Sequence, residues 1–270
     1  MSVAIKSLVR RGLHGLTRQP YRITYSGPAF GDNLFSAFIT AVLNDNGIPA
    51  VLHNPRIAHL ADCPLDESPE DTLLTFNCVR CNRPGKETAG RFTVYTDLLQ
   101  QFRVFAGLRD TIPVTRNFIP VKYFDIPQTP AVDVAMVTRS GHWTPYRNWP
   151  YFAGLKAALS SAGISFIDLS EQSINDIPFL NYVKKAKIFL GLETGASHYA
   201  SRFANGKALI LQSGYCDFEY WAGDYRYERL EAAVHCRPCW LREGCRWEHA
   251  CMENLTVDRV FRELTRRLQS

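Results

Sequence analysis

Three groups of side chains have the types and spacing for chemistry. The first is Glu193-Thr194-Gly195-Ala196-Ser197-His198. Residues 187–192 form an apolar run of buried-strand length, and residues 197–203 carry a helical pattern, so the segment sits at a strand-to-helix turn. A helix start leaves N–H groups unpaired and carries partial positive charge, and a glycine there lets an anion close on the backbone. The spacing therefore predicts an anion at Thr194–Gly195–Ala196, with Ser197 and His198 one turn in. The plainer alternative is a helix cap at Thr194 and a packed or solvated His198. The second group is Gly31-Asp32, which aims one carboxylate from a helix start; taken alone, Asp32 reads as an N-cap. The third is Cys236-x2-Cys239-x5-Cys245-x5-Cys251. Four thiolates suffice for a tetrahedral structural zinc or iron, and Arg237, Arg242 and Arg246 would offset their charge. Spacings of five are not a usual zinc-finger pattern, so metal and metal-free thiols both stay open. Cys63, Cys78 and Cys81, with His53 or His59, are spaced more loosely and read as ordinary thiols.

These groups need elements to position them. Residues 21–26 read as a strand, 33–43 as an apolar-faced helix stopped by Asn46-Gly47, and 48–52 as a strand. The turn between the first strand and helix has neither the ending of a Walker loop nor GxGxxG. Residues 72–76 read as a strand and 96–108 as a helix. Four prolines within 111–130 mark a linker, with a domain boundary near 128. Beyond it, strands at 132–138, 164–169, 187–192 and 207–212 alternate with helices at 151–162, 177–186 and 197–203. Pro150 stands where a helix starts and Gly163 where it ends. Such alternation predicts a parallel sheet covered on both faces, with ligands at the carboxyl ends of its strands. The loop 139–150, rich in basic and aromatic residues, and the turn 193–198 both leave those ends.

The chain has 270 residues, 46% of them hydrophobic and 21% charged, which suits one large globular domain or two small ones. No apolar run approaches a membrane span and no stretch has the order of a cleavable signal, so the expected compartment is the cytoplasm. A net charge of +5 suits an anionic ligand or an acidic membrane surface. No nucleic-acid module is recognisable, and nucleic acid is not an expected partner. Residues 1–19 are basic, with apolar residues at helical spacing broken by Gly12 and Gly15; they read as a leader or a packed surface helix, with attachment to an anionic membrane as the sharper alternative.

The second half resembles glycosyltransferase family 9, the ADP-heptose:lipopolysaccharide heptosyltransferases. His142-Trp-Thr-Pro-Tyr-Arg147-Asn-Trp149-Pro150 is similar to the family loop in which a basic residue precedes a Trp-Pro helix start. Glu193-Thr-Gly-Ala-Ser-His198 resembles its Asp-Thr-Gly-x-Ser-His turn, Cys236 to Cys251-Met252 its late cysteine stretch, and residues 256–268 its closing helix. Gly31-Asp32 resembles its N-terminal Gly-Asp. The resemblance implies an α/β, GT-B type chain of two Rossmann-like domains with parallel sheets: a basic leader 1–20, a reduced acceptor-side domain 21–128, and a donor-binding domain 129–270 that includes the cysteine segment 236–251. It implies an inverting transferase that needs no cofactor for catalysis. The donor would be a nucleotide-diphospho-sugar, ADP-heptose foremost, and the acceptor a glycan or glycolipid of lipopolysaccharide type. Asp32 would be the general base, and Arg147, Thr194, Gly195, Ala196, Ser197 and His198 would hold the diphosphate, with Glu193 and Gly31 as secondary donor contacts. Two departures, Glu193 in place of aspartate and the short first domain, equally suit a silent nucleotide- or glycan-binding relative. The expected place is the cytoplasm, with peripheral contact to the inner membrane face.

Overall fold

The computed structural model describes residues 3–27, 29–68, 73–78, 94–122, 128–141, 144–172, 177–203, 207–222 and 227–270. They fall into two compact units, Met1–Lys122 and Tyr123–Ser270.

In the first unit β1 (Tyr21–Thr24) lies between β2 (Ala50–Leu52) and β3 (Thr75–Asn77) in a parallel sheet, with Ile23 opposite both Leu52 and Phe76. Helix α2 (Phe30–Asp45) buries Leu34, Phe35, Phe38, Ile39, Val42 and Leu43. It starts three residues before the apolar pattern does. The amide of Asn33 explains this, because it donates to the carbonyls of Gly27 (3.1 Å) and Ala29 (2.7 Å) and fixes the incoming turn. Gly47, at φ +70, ends the helix as its sequence position predicts. Helix α3 (Val94–Ala106) buries Tyr95, Leu98, Leu99 and Phe102, and Phe102 meets Tyr21 and Phe76 edge-on. The basic segment at the start is a formed helix, α1 (Val3–Thr17), packed on α3. Residues 111–122, read as linker, are tied into this unit: Asp62 N–H bonds the Pro120 carbonyl at 2.9 Å and Lys122 N–H that of Leu60 at 2.7 Å.

The second unit holds a parallel five-stranded sheet ordered β5-β4-β6-β7-β8, formed by β4 (Val134–Met136), β5 (Phe166–Asp168), β6 (Ile188–Gly191), β7 (Ala208–Gln212) and β8 (Glu228–Glu231). Strands β4, β6 and β7 are buried throughout, which is why they read as unbroken apolar runs. Helix α4 (Phe152–Ser161) and the last helix, α9 (Val257–Leu268), pack together over one face. Trp149, Phe152, Leu155, Leu159, Val260 and Leu264 join the strand residues there in one core, and the Trp149 indole donates to the Leu255 carbonyl at 2.7 Å. The other helices are α5 (Ile177–Lys185), α6 (Gly195–Ala200), α7 (Phe218–Ala222) and α8 (Ala250–Glu253).

Candidate functional site

The chain runs from β4 outward to β5 and then returns to the far side of β4 as β6. The loops after β4 and β6 therefore part in opposite directions and leave a crevice at their carboxyl ends, the place where open α/β sheets hold ligands. Arg147 comes from the first loop and Glu193-Thr194-Gly195 from the second. A 3-10 turn (Pro145–Arg147) carries the arginine. Its cap, Thr144, accepts from the Tyr146 amide at 3.2 Å and donates to the Leu241 carbonyl at 3.1 Å. Arg147 Nη1 donates to the Glu193 carbonyl at 2.7 Å, and the guanidinium lies 5.5 Å from the centre of the Tyr215 ring. The two loops are thus joined across the crevice by a side chain that still has donors to spare.

Several polar atoms around this turn lack the partners that burial demands, Gln212 Oε1 beneath it and two more at the crevice. Arg147 Nε and Thr194 Oγ1 are both shut away from solvent and make no hydrogen bond. Leaving such groups unpaired costs roughly 1–3 kcal/mol each. Thr194 is the N-cap of α6 in extended conformation, yet its hydroxyl does no capping. Its carbonyl takes the amides of Ser197 (3.1 Å) and His198 (3.3 Å), whereas those of Gly195 and Ala196 lie too early in the helix to have an intrahelical acceptor.

The rest of the turn is locked from beneath. Glu193 is fully buried, and its carboxylate faces inward. Oε1 accepts from Gln212 Nε2 (2.9 Å) and Cys216 Sγ (3.0 Å); Oε2 accepts from the Ser213 amide (2.9 Å) and the Ser213 hydroxyl. Glu193 therefore ties the β6 turn to the loop after β7. The Ser197 hydroxyl donates to the Leu192 carbonyl at 2.6 Å, and Tyr227 donates to the Ser197 carbonyl. His198 is 2% exposed, with its ring packed 4.5 Å from that of Trp221. A Cβ on Gly191 would stand 2.4 Å from Ser197 Oγ and 2.6 Å from the Phe189 ring, so glycine is required there. Gln212, Ser213 and Tyr215 were not singled out from sequence. The apolar strand ending in Gln-Ser-Gly was the available signal, since it places polar residues at the same sheet edge.

In the first unit Asp32 is the third residue of α2, and Ala29 holds the N-cap position without any side-chain cap. Asp32 is therefore not the N-cap. Its Oδ2 accepts from the Tyr25 hydroxyl at 2.9 Å. The Tyr25 ring lies directly over Gly27, where a Cβ would stand 2.3 Å from the phenol oxygen. Gly31, next in the helix, is partly buried. Beneath this turn Asn54 Nδ2 donates to Asn33 Oδ1 (2.9 Å) and Ser36 Oγ (3.0 Å), linking the end of β2 to the start of α2 through fully enclosed polar groups. Tyr25 was missed from sequence; its place just past β1 was the clue.

The late cysteines frame the second-unit crevice from outside. Cys239 N–H bonds the Gly214 carbonyl and Trp240 N–H that of Tyr215, both at 2.9 Å. The Cys245 amide donates to the Tyr146 hydroxyl at 2.9 Å, and His249 Nε2 lies 2.7 Å from the Tyr146 carbonyl. A Cβ on Gly214 would meet Cys251 Sγ at 3.4 Å and Cys236 Sγ at 3.9 Å. Burial raises the pKa of the Cys239 and Cys251 thiols, and the other cysteines of the set raise it further. Four thiols in one segment carry the donor chemistry of a thiolate metal site. Among the described residues, no three His, Cys, Asp or Glu side chains converge in ligating geometry. In the first unit burial pushes the Cys63 thiol up to about 12 and that of Cys78 higher still, as expected of ordinary thiols; Cys81 lies outside the described residues, as do His142 and Trp143.

No family model matches the chain, and no curated protein matches it in sequence. Solved structures do match its fold. The iron-containing dodecameric glycosyltransferase TibC from enterotoxigenic E. coli aligns at a TM-score of 0.64 with 13% identity, covering 93% of this chain and 76% of that one. TibC described as a heptosyltransferase in complex with ADP-D-beta-D-heptose aligns at 0.61 with 13% identity, over 93% and 77%. The E. coli ADP-heptose lipopolysaccharide heptosyltransferase II aligns at 0.56 with 10% identity, over 92% and 98%. This α/β chain with its parallel sheets accordingly has the GT-B fold of the heptosyltransferases.

Proposed function

We propose that the protein is a glycosyltransferase that moves a sugar, a heptose or one like it, from a nucleoside-diphospho-sugar to a glycan or lipopolysaccharide-type acceptor, with inversion and without a metal at the diphosphate. The observation that carries this reading is the pair of buried, unpartnered atoms, Arg147 Nε and Thr194 Oγ1, beside the peptide joining Glu193 to Thr194. Breaking the sugar–phosphate bond builds negative charge on the departing diphosphate. Donors fixed in advance and aimed at that charge stabilise the transition state more than the ground state. Arg147 supplies a planar fork, Thr194 a hydroxyl, and Gly195 and Ala196 their amides. Ser197 and His198 serve by holding the turn, and Glu193 by anchoring it to the loop after β7. Asp32, oriented by Tyr25, accepts the proton of the acceptor hydroxyl, and Gly31 keeps the approach to it free of side chain. ADP-heptose is the foremost donor because a structure of the same fold binds it.

Differential scanning fluorimetry and calorimetry against ADP-, GDP-, UDP- and dTDP-sugars test the donor site. Arg147→Ala is expected to weaken the preferred donor by roughly 30- to 150-fold, the equivalent of about 2–3 kcal/mol for a charge-assisted fork. Arg147→Lys should fall between, since a point charge cannot bond in a fork. Equal affinity in all three proteins removes the proposed cradle.

The same reading gives the four late cysteines a structural metal, iron or zinc, held by Cys236, Cys239, Cys245 and Cys251. Their donor chemistry fits, a neighbour of the same fold is iron-containing, and the segment grips both Tyr146 and Tyr215 at the crevice. Elemental analysis of anaerobically purified protein should find about one equivalent of metal, lost in Cys239→Ser/Cys245→Ser together with several degrees of Tm. Less than about a tenth of an equivalent rules the metal out.

A second reading, a silent binding relative, is favoured by the three-stranded sheet of the first unit among the described residues. Turnover by the wild type decides against it.

A further inference from the structure

Most of the protein's net charge traces to the start of the sequence. Of 31 Lys and Arg residues, five (Lys6, Arg10, Arg11, Arg18 and Arg22) precede Asp32, the first acidic residue, and the other 26 are matched by 26 Asp and Glu. Arg22 is buried against Asp66 at 2.6 Å, so the uncompensated cations belong to α1 and the residue just after it.

Helix α1 is docked by one face. Arg10 donates to the carbonyls of Leu73 (3.0 Å) and Phe105 (3.4 Å) and lies 4.0 Å over the Phe105 ring. His14 stacks on Tyr21 at 4.6 Å, and Ser7 abuts Gly107. These three positions, spaced i, i+3 and i+7, are the inner face. The opposite face carries Leu8, Gly12 and Leu16 in a line, with Val9 beside them. Leu8 is 67%, Val9 43% and Leu16 88% exposed. Lys6 flanks this ridge on one side and Arg11 on the other, both exposed. Six large apolar residues are exposed among the described residues, and five of them lie on α1 or on the segments it packs against: Leu8, Val9, Leu16, Leu73 and Val104.

We infer that this face of α1 lies flat on an anionic lipid bilayer, with Leu8, Val9 and Leu16 in the acyl boundary and Lys6, Arg11 and Arg18 at the phosphates. An apolar ridge edged by cations on both sides matches the two layers of such a surface, because apolar side chains enter the boundary while long cationic ones reach back to the headgroups. A second copy of this chain suits the face poorly, since symmetric pairing would bring Lys6 and Arg11 against their own kind. Nucleic acid would leave the leucines with no apolar partner. The inference is independent of the transferase reading, because it concerns only the first unit and needs no donor.

The test is sedimentation of the full chain with phosphatidylcholine vesicles, with and without phosphatidylglycerol. Binding is expected to be about tenfold or more tighter to the anionic vesicles and to fall in high salt. Lys6→Glu/Arg11→Glu should lose that preference, and Leu8→Ser/Leu16→Ser should lose on the order of tenfold on the anionic vesicles. All these sites are exposed, so the variants should melt within a few degrees of the wild type. Wild-type binding that ignores lipid charge, or variants that bind as the wild type does, overturns the inference. So does self-association of the lipid-free protein that Leu8→Ser/Leu16→Ser abolishes, which would give the face to a second copy. Retention on RNA that Lys6→Glu/Arg11→Glu abolishes would overturn it as well.

Discussion

Asp32→Asn should reduce turnover by two to four orders of magnitude while donor affinity stays within about twofold of the wild type, the range expected when a positioned general base is lost. Asparagine keeps the shape of aspartate and can still accept from the Tyr25 hydroxyl, which bonds Oδ2 at 2.9 Å. What it loses is the capacity to take up a proton as the acceptor oxygen attacks. The assay is ADP release from ADP-heptose with a lipopolysaccharide-type acceptor present. Tyr25→Phe provides the graded control. It removes one orienting bond and leaves the base intact, so a loss of only a few-fold to tenfold is expected, mostly in kcat. If Asp32→Asn turns over at the wild-type rate, the carboxylate is not the base; if the wild type releases no ADP from any donor it binds, the silent-relative reading stands.

Glu193→Ala should be the most damaging single change to the stability of the second unit. It removes an acceptor of four hydrogen bonds in a fully enclosed place and takes from the buried Ser213 amide the carboxylate oxygen that accepts it, while Gln212 keeps only its bonds to the Ser213 and Cys216 carbonyls. A loss of about 3 kcal/mol is expected, or roughly 6–12 °C in Tm for a unit of this size. Glu193→Gln should also do harm, because its amide nitrogen must face another donor. Glu193→Asp is one methylene too short to reach both Ser213 and Cys216, and should cost less than the alanine. Thermal melts of the three variants check the order. An alanine variant that melts within about a degree of the wild type would mean the network contributes nothing net.

The strand-to-helix turn at 193–198 could be located from sequence because β6 is apolar at every position and Gly195 punctuates its end. What could not be located was the direction of the side chains. Helix α6 has only six residues, and Ala196 through Ala200 are all buried, so no polar face advertises which way His198 points. Glu193 reads as a departure from a family pattern, yet its length is what lets it span to the loop after β7. Strand β8 escaped notice for the opposite reason: it is an edge strand, and Glu228-Arg229-Leu230-Glu231 has neither an apolar run nor clean alternation. Helix α7 is five residues of mixed aromatic and acidic character, too short for periodicity. On α1 the helical spacing was legible through Gly12 and Gly15. Its orientation was not, because Arg10 packs inward over an aromatic ring while Leu8 and Leu16 face out, the reverse of the usual assignment.

One enclosed spot, close behind the Thr194 turn, is claimed by two residues at once. The space that a Cβ at position 191 would fill is occupied by the hydroxyl of Ser197. Losing that hydroxyl would not vacate the spot, because the Phe189 ring crowds it from the other side, so position 191 is expected to tolerate only glycine whichever residue stands at 197.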